Sequence, residues 1–178
     1  MEFMLTMYRQ SSESYSEQCS LVSHSLQVAA AAMRAGESRR MIAACLLHDI
    51  GHLVMADDTD GCGHAAHAVS GAQFLRFIGC DETVCRLIEG HAQAKRYLCY
   101  ADKGYMHALS EASKRTLRFQ GGPMTAREAT AFDRDPLRDE MLRLRMYDDM
   151  GKQSVCDLGG IDCHRDLLRP FFSRRSKL

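Results

Sequence analysis

Apolar residues recur three and four positions apart along most of this chain, as in Leu21-Val22-Ser23-His24-Ser25-Leu26-Gln27-Val28. This spacing gathers them on one face of an α-helix, which repeats about every 3.6 residues. Valine-rich runs with alternating apolar and polar residues, which would indicate strands, are missing from the sequence. The pattern therefore predicts an all-α fold.

Helix ends are indicated by capping residues, by glycines and by one proline. Ser38, Asp81 and Thr125 precede apolar stretches as N-caps, and Glu128 completes a capping box with Thr125. Pro136 is placed at the first position of a predicted helix, where proline is tolerated. The pattern predicts seven helices: about 17–35, 38–51, 65–78, 81–97 and 106–118, one that begins at 125, and one over about 136–152.

Length and charge restrict the classes of protein that fit. The 178 residues, 46% of them hydrophobic, suffice for one domain with its own core, and no apolar run is long enough to span a bilayer. We expect a single domain over 1–178, with a core of about 15–152 and a basic tail of about 159–178. Because 23 basic residues balance 23 acidic ones, nothing favours nucleic acid or a membrane surface as a partner.

Cysteine spacing and the two chain ends bear on the compartment. The eight cysteines include no Cys-x-x-Cys pair, and the first residues lack a signal-peptide pattern, so we expect reduced thiols and a cytoplasmic location. The final Ser176-Lys177-Leu178 matches a peroxisomal address, which is the alternative if the source is eukaryotic.

His48 and Asp49 stand side by side directly after the apolar run from Met41 to Leu47. An imidazole and a carboxylate are costly to bury unless something binds them. One carboxylate can bridge two cations through its two oxygens while the adjacent imidazole binds one of them. The pair therefore favours a two-metal centre, and the alternative is a hydrogen-bonded pair at a helix end.

Four further residues of ligand type, His24, His67, His91 and Asp148, lie on four other predicted helices. A single histidine on an apolar helix face is more often a core residue than a ligand. Several such residues beside the His48-Asp49 pair reverse that expectation, because helical bundles build two-metal sites from single ligands on separate helices. We interpret His64, His107 and His164 as surface residues, and the acidic stretch 57–60 as a solvated turn.

With these candidate ligands in this order, the sequence resembles the HD-domain superfamily. Within that superfamily it resembles the mixed-valent di-iron oxygenases of the phosphonate-cleaving PhnZ/TmpB type. The resemblance covers roughly residues 15–152. It rests on short motifs in one order: Leu46-Leu47-His48-Asp49-Ile50-Gly51-His52-Leu53, His67 before Gly71-Ala72, His91-Ala92-Gln93-Ala94-Lys95-Arg96-Tyr97-Leu98, Leu109-Ser110-Glu111-Ala112-Ser113, Gln120-Gly121-Gly122-Pro123-Met124 and Leu144-Arg145-Met146-Tyr147-Asp148-Asp149.

The resemblance implies a compact bundle of about six to seven helices and two iron ions in an Fe(II)/Fe(III) state. The resemblance further implies that Asp49 bridges the two irons. The ligands would be His24, His48, Asp49 and Asp148 at one iron, and Asp49, His67 and His91 at the other. Tyr15-Ser16-Glu17 resembles a lid whose tyrosine occupies an iron position before substrate binds. The sequence departs from the family at Ser16, where glycine is frequent, and at Ser23, where glutamate is common.

Four residues are implied in binding the anionic end of a substrate. His52 and Lys95 each follow a candidate ligand by about one helical turn, and Ser113 and Gln120 would add hydrogen bonds. The alternative for Lys95 is an exposed, solvated lysine.

The resemblance implies an O2-dependent oxygenase that cleaves the carbon–phosphorus bond of a 1-hydroxyphosphonate. The substrate would be 2-amino-1-hydroxyethylphosphonate or its trimethylammonium analogue, and the products phosphate and glycine or glycine betaine. Two alternatives stay open: a metal-dependent HD phosphohydrolase, and a non-catalytic HD domain that binds a ligand.

Overall fold

A computed structural model describes residues 1–11, 20–54, 66–151 and 160–173. Regular structure in these ranges consists of α-helices and two short 3-10 helices, with an isolated bridge between Cys80 and Phe172. The all-α prediction is confirmed.

Eleven α-helices occur within the described ranges. In chain order they are α1 (Glu2–Gln10), α2 (Leu21–Arg34), α3 (Arg39–Leu47), α4 (Gly51–Val54), α5 (His67–Phe77), α6 (Glu82–Ala101), α7 (Lys103–Ala108), α8 (Glu111–Phe119), α9 (Ala126–Phe132), α10 (Arg138–Met150) and α11 (Arg165–Leu168). The 3-10 turns Ile161–His164 and Arg169–Phe171 flank α11.

The predicted N-caps are confirmed. The Ser38 side chain accepts the backbone N–H of Met41, and Asp81 accepts those of Thr83 and Val84. Thr125 and Glu128 form both halves of the capping box. Each cap satisfies N–H groups that have no partner inside their own helix, and so fixes the point where the helix begins.

Four predicted helix boundaries differ from the structure, the first being the end of the predicted helix 81–97, which extends to Ala101 in α6. The predicted helix 38–51 ends at Leu47, so the His48-Asp49 pair lies in the turn before α4. The predicted helix 106–118 is two helices, α7 and α8, because Ser110 is the N-cap of a new one. Pro136 lies in the turn before α10, which begins at Arg138.

The longest helix of the described ranges, α6, is at the centre of the bundle. It packs against α5 on one side and against α10 on another, and α2 packs against α3 and α10. The contact between α6 and α10 is close, because a Cβ atom at Gly90 would overlap the side chain of Met141. These neighbouring helices, together with the turn between α3 and α4, supply the side chains of the candidate site.

Residues from both ends of the described chain join the core. Met4, Leu5 and Tyr8 of α1 are buried, as are Ile161 and Leu168 of the segment predicted as a weakly patterned tail. The Tyr8 hydroxyl donates to the carbonyl oxygen of Leu46 (3.1 Å), close to the His48-Asp49 turn. The sequence pattern did not predict α1 or α11.

None of the described helices is both long enough and apolar enough to cross a membrane. The terminal Ser176-Lys177-Leu178 lies outside the described residues, so the compartment stays a prediction.

Candidate metal centre

The structure brings the six predicted ligands together in the interior of the bundle. Every one of them is buried, with at most 7% of the residue exposed: His24, His48, Asp49, His67, His91 and Asp148. Five of the side chains form two groups that share Asp49, and Asp148 lies against His24 and His48 of the first group.

The first group surrounds one point with two imidazoles and two carboxylates. His24 Nε2 lies 3.2 Å from His48 Nε2 and 3.1 Å from Asp148 Oδ1. Asp49 Oδ2 lies 3.2 Å from His48 Nε2 and 3.6 Å from His24 Nε2. Donors about 2.1 Å from one cation are about 3.0 Å apart at the corners of an octahedron and about 3.4 Å apart in a tetrahedron. The spacing suits a first-row metal.

The second group uses the other oxygen of the same aspartate. Asp49 Oδ1 lies 3.3 Å from His67 Nε2 and 3.7 Å from His91 Nε2, and the two imidazole nitrogens are 3.1 Å apart. Asp49 therefore faces one group with each oxygen, as a bridging carboxylate would.

Backbone carbonyls fix the imidazole rings. His24 Nδ1 lies 2.8 Å from the Gly151 oxygen, His48 Nδ1 2.8 Å from that of Cys45, and His91 Nδ1 2.6 Å from that of Ile88. A carbonyl oxygen can only accept, so each Nδ1 carries the proton. A neutral ring then directs the lone pair of Nε2 into the centre, which is the tautomer that binds a metal.

Two buried carboxylate oxygens in the same place have no hydrogen-bond partner among the described residues, namely Asp49 Oδ2 and Asp148 Oδ1. Both point at imidazole nitrogens that direct lone pairs toward them. Buried charges of this kind are normally paired or bound to metal. The residues present therefore fit two cations.

Without a cation, protons have to balance the charge. Burial opposes ionisation of both aspartates, but His48 beside Asp49 and Arg145 beside Asp148 hold the pKa of each carboxyl well below its usual range. Burial would also lower the pKa of His48, yet the Asp49 and Asp148 carboxylates outweigh it and raise that pKa to about 10. Burial and the neighbouring charge of His48 lower the pKa of His91 to about 4.

Close backbone approaches position the ligands. A Cβ atom at Gly51 would overlap the carbonyl oxygen of His67, so glycine lets α5 begin directly against the turn that holds Asp49. A Cβ atom at Gly151 would overlap Val28 and lie 3.0 Å from His24 Nδ1. Both glycines keep ligand-bearing helices in contact.

Two predicted anion-binding residues lie beside the metal centre. The half-buried His52 ring stacks on the His67 ring with a centroid distance of 4.4 Å and an interplanar angle of 18°. Lys95 is only 4% exposed, so the alternative of a solvated lysine is wrong. Its Nζ donates to Thr116 Oγ1 (3.1 Å). Burial, together with the charge of Arg145, lowers the pKa of Lys95 to about 8.

The other two predicted anion-binding residues are both half-buried and belong to α8 and its C-terminal end. Ser113 lies on α8, and its carbonyl oxygen accepts the hydroxyl of Thr116 (3.1 Å). Gln120 is the C-cap of α8. Gly121 and Gly122 follow it with φ of 96° and 72°, a conformation that favours glycine, so this turn requires both.

Arg145 and Thr116 were missed by the sequence reasoning. Arg145 is buried, and its Nη1 donates to Asp148 Oδ2 (2.6 Å), which leaves Oδ1 facing the histidines. Its position three residues before Asp148 on a helix was the available signal. Thr116 follows Ser113 by three residues on α8 in the same way.

Tyr15 and Glu17, predicted as parts of a lid, and His64 lie outside the described residues. His107 is exposed, as predicted, whereas His164 is half-buried.

Comparisons with known proteins identify the family of this chain. The chain matches the HD domain family over residues 21–134. It is 36% identical over 154 residues to the [1-hydroxy-2-(trimethylamino)ethyl]phosphonate dioxygenase (glycine-betaine-forming) of Leisingera caerulea, which covers 82% of this chain and 76% of that protein. It is 38% identical over 144 residues to the hydroxymethylphosphonate dioxygenase of Gimesia maris, which covers 78% and 70%.

A third relative, an uncharacterized protein of Acanthamoeba polyphaga mimivirus, is 34% identical over 176 residues, or 96% of this chain and 80% of its own length. The matches to the two dioxygenases and to the HD family extend over most of the chain, and the HD match spans His24, His48, Asp49, His67 and His91. The chain therefore belongs to the HD-domain family, in the branch that includes the phosphonate dioxygenases.

Proposed function

We propose that this chain is an O2-dependent di-iron oxygenase that cleaves the carbon–phosphorus bond of a 1-hydroxyphosphonate to give a carboxylate and phosphate. The observation that carries the proposal is the position of Asp49, whose two oxygens face two different donor groups. One group adds His24, His48 and Asp148, and the other adds His67 and His91. The extra carboxylate on one side favours a ferric ion there and a ferrous ion on the other.

When bound, such a mixed-valent iron pair supplies the reaction with O2 activation and oxidising power. The residues of the chain bind and orient the substrate. Lys95 places a buried positive charge beside the centre, where it can pair with phosphonate oxygens. His52, Ser113 and Gln120 would donate hydrogen bonds to the same group. Tyr15 and Glu17 would form the lid that the resemblance implies.

The substrate class follows from the two named relatives. One is named for a 1-hydroxy-2-(trimethylamino)ethylphosphonate and the other for hydroxymethylphosphonate. Both substrates therefore carry a hydroxyl on the carbon that is bonded to phosphorus. We infer that the same head group binds here, with 2-amino-1-hydroxyethylphosphonate and its trimethylammonium analogue as the first candidates.

The test measures O2 uptake and phosphate release together, for iron-loaded protein and a panel of these three phosphonates. We expect one O2 consumed per phosphate released, label from ¹⁸O₂ in the products and no turnover under argon. The control is Asp49→Ala, which should lose both metals because two cations would repel each other without the bridge.

The rival activity is metal-dependent phosphoester hydrolysis, in which the same centre would activate water. Phosphate release that continues undiminished in rigorously anaerobic buffer would refute the oxygenase and favour the phosphohydrolase. Loaded protein that consumes no O2 with any substrate of the panel would also count against the proposal.

A further inference from the structure

The carboxylate of Asp148 divides its two oxygens between the metal centre and an arginine. Oδ1 lies 3.1 Å from His24 Nε2, whereas Oδ2 accepts a hydrogen bond from Arg145 Nη1 (2.6 Å). Arg145 is only 4% exposed, so its charge acts on Asp148 with little screening by water. The orientation of Asp148 therefore depends on what holds the guanidinium.

Asp149 and Tyr105 hold the other side of Arg145. Arg145 Nη2 donates to Asp149 Oδ1, and Nε donates to Asp149 Oδ2 (3.1 Å) and to the Tyr105 hydroxyl (2.9 Å). The Tyr105 hydroxyl itself donates to Asp149 Oδ2 (2.7 Å). The network thus runs from Tyr105 through Asp149 and Arg145 to Asp148.

Tyr105 comes from α7, a short helix that supplies none of the candidate ligands and none of whose residues is fully buried. Its ring packs against the small cluster of Cys99, Leu109 and Leu117, which fixes the direction of the hydroxyl. Burial raises the pKa of this phenol; Arg145 opposes the rise and Asp149 adds to it. The hydroxyl therefore keeps its proton and remains a donor.

We propose that Tyr105 is a positioning residue for one of the two metals, the one in the group of His24, His48, Asp49 and Asp148. Tyr105 fixes Asp149, Asp149 fixes and partly neutralises Arg145, and Arg145 then holds Asp148 in the ligating orientation. Asp148 Oδ1 faces His24 and His48 (3.1 and 3.7 Å), whereas His67 and His91 face Asp49 Oδ1 (3.3 and 3.7 Å), so the metal held by His67 and His91 should not depend on Tyr105. The inference rests on the proposed two-metal site, and not on the substrate or on O2.

The test is Co²⁺ binding to metal-depleted protein, followed by calorimetry and by the visible absorption of Co²⁺. Removing an outer partner of a ligand typically weakens metal affinity about 10- to 100-fold. Tyr105→Phe should weaken one of the two Co²⁺ equivalents by about 10-fold and leave the other unchanged. Asp149→Asn should weaken the same equivalent at least as much.

Tyr97→Phe is the matched control, because the Tyr97 hydroxyl makes the same kind of contacts away from the site. It donates to Asp133 Oδ1 (2.8 Å) and accepts from Arg138 Nη2 (2.9 Å). This variant should bind both equivalents as the wild type does. The melting temperatures of the metal-depleted variants show whether each variant folds as the wild type does.

A double-mutant cycle identifies the metal position. In an Asp148→Ala background, Tyr105→Phe should have no further effect on Co²⁺ affinity, because the group it positions is gone. Unchanged affinity in Tyr105→Phe, equal weakening of both equivalents, or an undiminished effect in the Asp148→Ala background would overturn the inference. A wild type that binds no metal would overturn the proposed function as well.

Discussion

At the residue scale, a buried lysine sets the pH dependence expected for substrate binding. Lys95 has a pKa of about 8, lowered by burial and by Arg145. The lysine is charged below that pH and loses its charge as the pH rises through it. The phosphonate group stays anionic over this range, so the attraction between the two groups weakens on the alkaline side.

We therefore expect KM for the phosphonate to rise as the pH passes about 8, with kcat less affected. Lys95→Ala should raise KM at neutral pH, remove this pH dependence and cost about 2–4 kcal/mol of transition-state binding, with unchanged iron content. Steady-state kinetics between pH 6.5 and 9.5 provide the measurement. Lys114→Ala, which removes a partly exposed lysine paired with Glu111, is the control. Wild-type kinetics in Lys95→Ala would show that the anion binds elsewhere.

Site residues could be predicted where the residue type stands out from its neighbours in the sequence. Site residues that are placed by contacts with distant parts of the chain were missed. His24, His48 and His91 are polar residues in apolar helical stretches, so each is conspicuous without any structure. Tyr105, by contrast, acquires its place from a contact with Asp149, 44 residues away. Helical periodicity gives the face of a residue but not which helix lies opposite that face.

At the element scale, the contact between α2 and α10 is made at a glycine. Gly151 ends α10, accepts the Nδ1 proton of His24 (2.8 Å) and leaves no room for a Cβ atom against Val28. A helix end is thus used to orient a ligand on another helix.

Gly151→Ala should push α2 and α10 apart, at a cost of about 1–3 kcal/mol in the free energy of unfolding. It should also weaken the metal held by His24. Urea unfolding and metal titration check the two effects. Gly160→Ala is the matched control, since a Cβ atom there meets nothing within 4 Å. Equal stability of the two variants would contradict the close packing.

The ends of a helix could be predicted where a capping residue or a turn marks them. They could not be predicted where contacts with other helices determine whether the helix forms. Asp81 marked the start of α6 from sequence alone, whereas the break between α7 and α8 depends on Ser110, a cap inside a continuous periodic stretch. α1 was missed because Met4, Leu5 and Tyr8 are buried by contacts with α3 and the segment 160–173, which the local sequence pattern does not reveal.

At the scale of the whole molecule, the charges of the metal centre couple metal content to stability. In metal-free protein the pKa of His48 is raised from 6.5 to about 10, while Asp49 and Asp148 stay ionised. A raised pKa stabilises the fold fully below the unfolded value, and this contribution is lost as the pH rises through the folded value. A bound cation would replace that proton.

The melting temperature of metal-free protein should therefore fall as the pH rises from about 6.5 to about 8, above which the lowered pKa of Lys95 opposes the effect of His48. That of metal-loaded protein should fall less, because metal affinity increases when ligands lose protons. Circular dichroism melts of chelated and loaded samples measure the difference. Asp148→Asn, with one carboxylate fewer to balance, should flatten the metal-free profile. A chelated wild type whose melting temperature is constant or rises over this range would disprove the charge-balance argument.

The hydrogen bond between His24 and Gly151 joins residues 127 positions apart. Contacts so distant in sequence form late during folding, because a long loop must close before they can be made. A small zinc-binding module gathers its ligands locally, so its metal can nucleate the fold. Here no single segment of the nascent chain holds a complete set of donors. We therefore expect polypeptide folding to precede metal uptake, so that the freshly folded, metal-free protein is the species that takes up the metal.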